Sequence, residues 1–492
     1  MAANETTAFG IHWFRRDLRI AGNPALRLQF ERFSGRVVGV FFFDSQFLRR
    51  EDFSHHRFAL FLETLKELQN EMVSLGGELL VIDGLVQDAF PKLLASLKTK
   101  PALVTWNRDY EPYARHRDQQ MQALLQKDGL DVLTERDHLI FEPHEIVKED
   151  HSFYQVYSPF AKRWYDRFNK PDIQTRIQSQ KKGLQYLSKR ARGQGAPTFM
   201  TLKWSELYRR EAPFPDALMQ FIQKNSPHVS ISIPKAGSLA AYKTLRQFSG
   251  ELEHYGVNRD FPGINGTSQM SLYLKNGAIT TAQIIAELQL GQEDFRSESG
   301  PNRYLKELVW REFYYSILWH APRIENEAFL EKYKEIQWPN NPEWFRRWCE
   351  GTTGFPIIDA GMRQLSTTGW MHNRVRMIVA SFLCKDLLID WRWGENYFMK
   401  MLLDGDLAPN NGGWQWAAST GCDPQPYFRI FNPSLQSRKF DPNGDYIRTY
   451  VEELRHVKDK SIHEPEGVPG YPAPIVDHSA QRALALALYK TP

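Results

Sequence analysis

Four short apolar runs mark the first part of the chain. They occupy residues 9–14, 36–44, 78–83 and 102–107. Runs of this length with apolar residues at consecutive positions are typical of strands that are buried on both faces, as in a parallel sheet. The chain is therefore predicted to begin with a parallel sheet.

Amphipathic segments separate these runs. Between the second and the third, apolar residues recur at helical spacing, and Gly76-Gly77 supplies a helix stop; the residues are Phe58, Phe61, Leu62, Leu65, Leu68, Met72 and Leu75. Repeated alternation of strand and helix predicts a doubly wound, Rossmann-like α/β domain over residues 1–139. Neither GxGxxG nor a Walker lysine loop follows the first strand, so no motif supports dinucleotide or triphosphate binding here.

Residues 140–228 lose this alternation and are predicted to form a long connector between domains. Within them the segment 181–197 is rich in basic residues and has no acid; its cations are Lys181, Lys182, Lys189, Arg190 and Arg192. A run of like charge usually forms a solvated face. A surface that faces phosphates is the alternative interpretation.

Residues 229–492 are predicted to form an all-α domain. The helical pattern is clearest at 241–255, 281–290 and 371–403, and no strand alternation or internal repeat is evident. Of the 14 tryptophans, 11 lie beyond residue 200, so the helical part has a different chemistry from the α/β part. We expect the reaction chemistry in the helical domain.

Composition narrows the class of protein. The net charge of +4 is only mildly basic, so it permits a nucleic-acid partner without requiring one. Three cysteines without CxxC spacing argue against a zinc site and fit a reducing compartment. The N-terminus shows no leader pattern and no later run could span a bilayer. We expect a cytoplasmic protein with no metal and no membrane partner.

The stretch 404–433 has an unusual composition. Two carboxylates, Asp404 and Asp406, precede Asn410, Asn411, Gly412 and Gly413, and the tryptophans Trp414 and Trp416 follow. Asparagine and glycine tolerate backbone angles that other residues avoid, which predicts a glycine turn that approaches a ligand closely. A buried loop whose tryptophans only fill the core is the alternative.

Three further segments carry candidate chemistry. Thr267, Ser268 and Ser271 follow Gly266 at an expected helix start, where an anion or a plain N-cap would fit. Glu307, Trp310 and Arg311 share one helix face and form either an ion pair or a binding face. Asn373, Arg376 and Met377 share another helix face, with Arg374 expected to point elsewhere, and His372 is expected in the core.

These motifs together resemble the DNA photolyase and cryptochrome family, most closely its class I photolyases of cyclobutane pyrimidine dimers. The resemblance rests on TSQMS at 267–271, WMHNRVRM at 370–377, LLIDWR at 387–392 and the stretch 404–433. It extends from HWFRRDLR at 12–19 to YPAPIVDH at 471–478. The implied architecture is an α/β domain for an antenna chromophore, a connector and a helical FAD-binding domain.

The resemblance implies FAD, active when fully reduced, and a set of residues that hold it. Tyr255, Thr267, Ser268 and Ser271 would contact its phosphates and ribityl chain, and Arg376 would pair with Asp404 beside the isoalloxazine ring. Asp406 would lie near the ring or its sugar, and Asn410 would face flavin N5. The implied flavin-binding set is Tyr255, Thr267, Ser268, Ser271, Arg311, Asn373, Arg376, Asp404, Asp406 and Asn410.

It also implies a substrate, DNA that contains a cyclobutane pyrimidine dimer flipped out of the duplex. Trp310 and Trp416 would stack on its bases, Glu307 and Asn373 would hydrogen-bond it, and Met377 would contact it. The arginines Arg259, Arg374 and Arg429 would meet phosphates or the pocket rim. Glu307, Asn373, Met377 and Asn410 would serve catalysis, and Trp338, Trp391 and Trp414 would carry electrons to an oxidised flavin.

Light-driven repair is the predicted function, and a cryptochrome-type photoreceptor without repair activity is the alternative. His372, Met377 and Asn410 favour repair within the resemblance, and a flavoprotein that only binds nucleic acid is a third class. Residues 106–118 would contact a second, antenna chromophore, either a folate (MTHF) or a deazaflavin (8-HDF); Arg323-Ile324-Glu325 disfavours folate. The protein is expected to be a monomer, associated with the nucleoid if its source is bacterial.

Overall fold

The computed structural model describes residues 8–194 and 200–490. Residues 1–7, which include most of the N-terminal segment predicted to carry no leader, lie outside the described part. So do residues 195–199, which overlap the end of the basic segment and the predicted connector, and the last two residues of the predicted helical domain. Within the described residues no helix is long and apolar enough to cross a membrane.

The predicted parallel sheet is present and has five strands. They are β1 (Gly10–Phe14), β2 (Val37–Phe43), β3 (Leu79–Asp83), β4 (Leu103–Asn107) and β5 (Val132–Glu135), in the order β3-β2-β1-β4-β5. All neighbouring pairs are parallel. The four predicted runs correspond to β1 to β4, which are almost wholly buried, whereas β5 lies at an edge and is more exposed.

Helices connect these strands and confirm the doubly wound α/β arrangement. They are α1 (Pro24–Phe33), α2 (His55–Ser74), α3 (Val86–Ala95) and α4 (Pro112–Lys127). The Ser54 side chain accepts a hydrogen bond from the Arg57 amide at the start of α2, as an N-cap serine does. The buried face of α2 includes the predicted Phe58, Leu62 and Leu65.

The region predicted as a connector contains two long helices. These are α5 (Tyr157–Phe168) and α6 (Pro171–Ala191). On α6 the apolar residues Ile173, Ile177, Leu184 and Leu187 are buried. The basic side chains Lys181, Lys182 and Lys189 are exposed, so the charged face of α6 is solvated while its apolar face packs inward.

The remaining elements are helical, as predicted for residues 229–492; two of them, at 204–207 and 218–225, lie in the predicted connector. They are α7 (Trp204–Leu207), α8 (Leu218–Asn225), α9 (Gly237–Phe248), α10 (Tyr255–Asn258), α11 (Ser271–Leu274), α12 (Thr281–Leu288), α13 (Gly300–His320), α14 (Pro342–Glu350), α15 (Pro356–Thr368), α16 (Asn373–Lys385), α17 (Trp391–Met401), α18 (Leu407–Ala417), α19 (Pro433–Phe440), α20 (Asp445–Tyr450) and α21 (His478–Lys490). The long helical run predicted at 371–403 is two helices. It breaks at Leu388, whose φ is +52°, and the Asp390 carboxylate caps α17.

By their internal contacts the residues form two compact units. The sheet unit comprises residues 1–145, 164–250 and 268–294, and the helical unit comprises 146–163, 251–267 and 295–492. The core of the helical unit is built mainly from α15, α16, α17 and α18, with Trp348, Trp391 and Trp414 buried in it. The predicted boundaries at 139 and 228 do not coincide with these divisions.

Candidate functional site

The stretch predicted as a glycine turn is helical, so that prediction is wrong. Asn410, Asn411, Gly412 and Gly413 lie inside α18. A Cβ added at Gly412 would lie 2.1 Å from Cδ1 of Tyr314, so this glycine allows α18 to pack closely against α13. Gly412 therefore allows close helix packing, and Gly413 leaves one face of the helix open. Neither glycine forms a turn.

The open face of α18 is the first feature of the candidate site. A Cβ at Gly413 would meet no heavy atom within 4 Å. Asp406, Asn410 and Gly413 are spaced i, i+4 and i+7, which places them along one side of the helix. Space for a ligand therefore lies beside a carboxylate and an amide.

The orientation of the Asn410 amide follows from its neighbour. Its Nδ2 donates to the Glu395 carbonyl oxygen at 3.2 Å. Because a carbonyl can only accept, the nitrogen must face Glu395 and Oδ1 must point the other way. The amide therefore offers mainly an acceptor, which suits a protonated ring nitrogen better than a basic one.

Arg376 and Asp404 form the ion pair that the resemblance implies. Arg376 Nη2 donates to both carboxylate oxygens of Asp404, at 3.1 and 2.9 Å, and its Nε donates to the Met371 carbonyl. The Asp404 side chain is almost wholly buried, whereas a quarter of the Arg376 side chain is exposed. The pair joins α16 to the segment before α18; its role toward a flavin stays a prediction.

Asp406 is held from α13. The Tyr315 hydroxyl lies 2.8 and 2.9 Å from the two Asp406 oxygens, and Arg311 Nη2 lies 3.9 Å from Oδ2. The Arg311 guanidinium also lies over the Tyr315 ring, 4.9 Å from its centroid. Tyr315 was not among the predicted site residues, because its role depends on α13 packing beside α18.

Two ion pairs tie the segment after α10 to α13 and α16. Arg259 Nη1 donates to Glu307 Oε1 at 2.5 Å, and Arg374 Nη2 donates to Asp260 Oδ1 at 2.6 Å. Glu307 therefore pairs with Arg259, while its helix neighbour Arg311 reaches Asp406. Proximity to the Glu307 carboxylate raises the pKa of Arg259, against the lowering caused by its burial.

Arg374 does not point away from Met377, contrary to the prediction. Its Nη1 lies 3.7 Å from Met377 Sδ, because residues spaced i and i+3 are neighbours on a helix. The guanidinium also covers the Phe440 ring, 4.4 Å from its centroid.

Asn373 is exposed at the start of α16, and Arg429 is exposed in the segment that precedes α19.

The predicted stacking residue Trp310 has a partner that the sequence did not reveal. Tyr157 lies face to face with it, with ring centroids 3.6 Å apart and planes inclined by 4°. The Tyr157 hydroxyl donates to the Lys306 carbonyl, and its amide donates to the Asp423 carboxylate. The aromatic composition of residues 152–168 is the feature of the sequence that could have indicated this contact. Trp416 is half-buried against the core of the helical unit.

His372 is buried, as expected, and only one of its ring nitrogens is bonded. Nδ1 accepts from the Arg374 amide, which makes His372 the N-cap of α16, and Nε2 has no partner among the described residues. Burial and the cations Arg374 and Arg376 lower its pKa to about 4. The ring is therefore neutral at pH 7, with its proton on Nε2.

The segment 255–271 is divided between the two compact units. Tyr255 and Thr267 belong to the helical unit, and Ser268 and Ser271 belong to the sheet unit. Burial raises the pKa of Tyr255 well above its usual range. Ser268 Oγ accepts from the Met270 amide, and α11 begins at Ser271 without a side-chain cap, so the simple N-cap alternative does not describe Ser271.

The three predicted electron carriers belong to one aromatic core. Trp414 and Trp391 are buried there, and Trp338 packs against its edge and is partly exposed. Trp414 contacts Phe398 edge to face at 4.9 Å, and Trp338 contacts Tyr489 edge to face at 5.9 Å. Trp338 is therefore the most exposed of the three, as an outer donor requires.

The antenna segment 106–118 lies in the sheet unit and is heavily paired. Arg15 bonds Asp118, Arg16 bonds Glu111, and Tyr113 donates to Asp44. A cavity of about 550 Å³ in the same unit includes Arg108 of this segment. Arg108 is bonded to Glu142 there.

The residues present fit the flavin that the resemblance implies. The open face over Gly413 gives it room, the Asn410 oxygen offers an acceptor, and the Arg376–Asp404 pair supplies a fixed cation and anion beside that helix. Every one of these features belongs to the helical unit.

Comparisons with known proteins show which family models and relatives this chain resembles. Residues 10–178 match the family model for DNA photolyase, and residues 304–491 match that for the FAD binding domain of DNA photolyase. A deoxyribodipyrimidine photo-lyase of Vibrio cholerae is 40% identical, with 97% of this chain and 98% of that protein covered.

Two solved structures extend the likeness to the fold. A bacterial class III photolyase from Agrobacterium tumefaciens is 32% identical, with a TM-score of 0.82 over 100% of this chain and 98% of that one. An archaeal photolyase from Sulfolobus tokodaii, described with two FAD molecules, is 28% identical, with a TM-score of 0.79 over 98% of this chain and 100% of that one.

Proposed function

The chain belongs to the DNA photolyase family, and from that premise we propose that it repairs cyclobutane pyrimidine dimers in DNA with the energy of light. The relatives named deoxyribodipyrimidine photo-lyase support the enzyme class. The observation that carries the proposal is the Asn410 amide, whose nitrogen is bonded to the Glu395 carbonyl and whose oxygen is therefore turned away from Glu395, on the helix that also carries the open face at Gly413.

FAD would be held by Arg376, Asp404, Asp406 and Asn410, with Arg311 supporting Asp406. When bound and reduced, this cofactor supplies the light-excited electron that opens a cyclobutane ring. Asn410 Oδ1 would accept a hydrogen bond from the protonated ring nitrogen N5, and the Glu395 carbonyl prevents the amide from turning over. The chain therefore orients the cofactor and favours its reduced form.

The dimer would bind against Trp310. Base-aromatic stacking contributes about 1 to 3 kcal/mol per base, comparable with the few kcal/mol that flipping a damaged nucleotide costs. Tyr157 covers one face of Trp310, which leaves the opposite face as the candidate platform. Glu307 would hydrogen-bond the dimer and Met377 would contact it, while Arg259, Arg374 and Arg429 would lie near phosphates.

Electrons would reach an oxidised cofactor through Trp338, Trp391 and Trp414. The partial exposure of Trp338 supports its place as the outer residue, and the order of the buried Trp391 and Trp414 follows the resemblance alone. A second chromophore in the sheet unit is also proposed; the archaeal relative was described with a second FAD as a light-harvesting cofactor. Extraction followed by absorption spectroscopy would identify it.

One experiment tests the proposed function directly. The protein is chemically reduced, mixed with a duplex that contains a thymine dimer, and illuminated. We expect restored thymine absorbance that requires both light and reduction. Photoreduction of the flavin without any repair would contradict the proposal and would favour a photoreceptor.

A further inference from the structure

Two of the three arginines that are expected at the pocket rim, Arg259 and Arg374, are each paired with a carboxylate within the protein. Arg259 pairs with Glu307 and Arg374 pairs with Asp260, through contacts of 2.5 and 2.6 Å. Two cations are thus matched by two carboxylates. A phosphate can gain full benefit from either arginine only if the carboxylate partner moves away.

The two carboxylates differ in what else they can do. Glu307 lies on α13 one turn from Trp310 and has a proposed task, hydrogen bonding to the dimer. Asp260 lies beyond the end of α10, a third of its side chain is exposed, and it has no such task. Its carboxylate bonds Arg374 and also contributes to raising the pKa of the neighbouring Arg259.

Arg374 is held in place on its other sides. The guanidinium covers Phe440 at 4.4 Å and its Nη1 contacts Met377 Sδ at 3.7 Å. Phe440 is buried, so the guanidinium rests on a fixed surface. The cation can therefore exchange one anion for another without moving, because its position does not depend on Asp260 alone.

The position of Arg374 also selects which phosphate can reach it. It contacts Met377, a residue proposed to touch the flipped dimer, and only about a fifth of its side chain is exposed. If the dimer lies against Met377 as proposed, the phosphodiester nearest to Arg374 is that of the nucleotide turned into the pocket.

From these contacts we infer that Asp260 holds Arg374 in the DNA-free protein and gives way to the phosphodiester of the flipped nucleotide, so that the arginine changes partner on binding and changes back on release. The inference rests on the proposed function. Exchanging one anion for another gains little net free energy. The exchange keeps the flipped state reversible, and Asp260 favours release of the repaired strand.

The test measures dissociation constants for two duplexes, one with a single thymine dimer and one undamaged, at several salt concentrations. Asp260→Asn removes the competing charge and keeps the size of the side chain. It should bind the dimer duplex about tenfold more tightly, the gain expected from one charge-assisted hydrogen bond. Its salt dependence should steepen by up to about 0.9 in log-log slope, because in the wild type the displaced Asp260 carboxylate takes up a cation that offsets the one released from the phosphate.

Two further variants separate this effect from general charge. The double variant D260N/R374Q has the same net charge as the wild type and should bind no more tightly than it does. Glu453→Gln removes the acid from a pair of similar burial, Arg363–Glu453, and should leave the affinity unchanged. Flavin absorbance and thermal unfolding of each variant verify that it is folded.

Four results would overturn the inference. These are unchanged or weaker dimer binding by D260N, a tenfold gain that persists in D260N/R374Q, an equal gain in E453Q, and an equal gain on undamaged DNA. A wild-type protein that does not prefer the dimer duplex would instead refute the proposed function, which is a separate outcome.

Discussion

Tyr157 and Trp310 lie face to face at 3.6 Å, although one belongs to α5 and the other to α13. Close contact between these rings fixes the plane of Trp310 before any base arrives. The Tyr157 hydroxyl is bonded to the Lys306 carbonyl, so the tyrosine is itself anchored to α13. Trp310 is therefore a rigid platform on this side.

Tyr157→Ala should weaken binding of dimer-containing DNA by roughly threefold to tenfold, because an aromatic pair contributes about 0.5 to 1.5 kcal/mol. Tyr157→Phe keeps the ring and should retain most of the affinity. Fluorescence anisotropy with damaged and undamaged duplexes measures both. If the alanine variant loses affinity equally for both duplexes, Tyr157 does not act through the stacking platform.

Glu307→Ala should lower the repair yield while FAD remains bound, because the dimer loses a charged hydrogen-bond acceptor worth about 1.5 to 3 kcal/mol. Glu307→Gln, which keeps the size of the side chain, should be less affected. Repair is followed as recovered thymine absorbance and flavin content by its own spectrum. Loss of the flavin from the alanine variant would assign this residue to cofactor binding instead.

Trp338→Phe should block photoreduction of the oxidised flavin, because phenylalanine is a much poorer electron donor than tryptophan. The substituted ring keeps the edge-to-face contact with Tyr489, so the fold should persist. Repair should be normal when the flavin is first reduced chemically. Normal photoreduction in this variant, measured by flavin absorbance under light, would remove Trp338 from the electron path.

His372 makes stability depend on pH in the acid range. Its pKa in the folded protein is about 4, below the ordinary 6.5, so the unfolded chain binds more protons between these values. The free energy of unfolding is therefore unaffected by His372 above pH 6.5. As the pH falls from 6.5 toward 4, protonation of this residue in the unfolded chain lowers it by about 3 kcal/mol in total. His372→Asn keeps an N-cap acceptor and should flatten this part of the profile, measured by chemical unfolding at each pH. A slope identical to that of the wild type would contradict the assignment.

Gly412 and Gly413 form a matched pair. Gly412→Ala places a methyl group against the Tyr314 ring and should destabilise the protein by about 1 to 3 kcal/mol. Gly413→Ala meets no atom and should leave the melting temperature of the flavin-free protein unchanged or slightly raised, since alanine favours a helix by about 1 kcal/mol. Flavin occupancy should fall in Gly413→Ala and not in Gly412→Ala. Unchanged flavin affinity in Gly413→Ala would exclude this face as the cofactor site.

The sheet and most helices were predictable because their signals are local. Consecutive apolar residues predict the strands directly, and the helical spacing of apolar residues that begins at Phe58 predicts α2. By contrast, α18 was mistaken for a turn, because Asn410, Gly412 and Gly413 have low helix propensity. Tertiary bonds override that propensity: the Asn411 amide donates to the Ile324 carbonyl and to Glu395.

Candidate site residues were predictable from the sequence only where they belong to a motif. Motif matching supplied Arg376, Asp404 and Asn410. It could not supply Tyr157 beside Trp310, or Asp260 beside Arg374, which are 114 residues apart in the chain. Such pairs depend on how helices pack, and no periodicity encodes them.

The adjacent glycines of α18 also have a consequence for how the protein can vary. A selection for folding alone would retain Gly412, whose neighbour is a protein ring, and would be blind to Gly413, whose neighbouring space is open. A selection for cofactor binding would recover both. The two adjacent glycines are therefore expected to tolerate substitution differently, Gly412 being restricted by the packing of the chain and Gly413 by the cofactor.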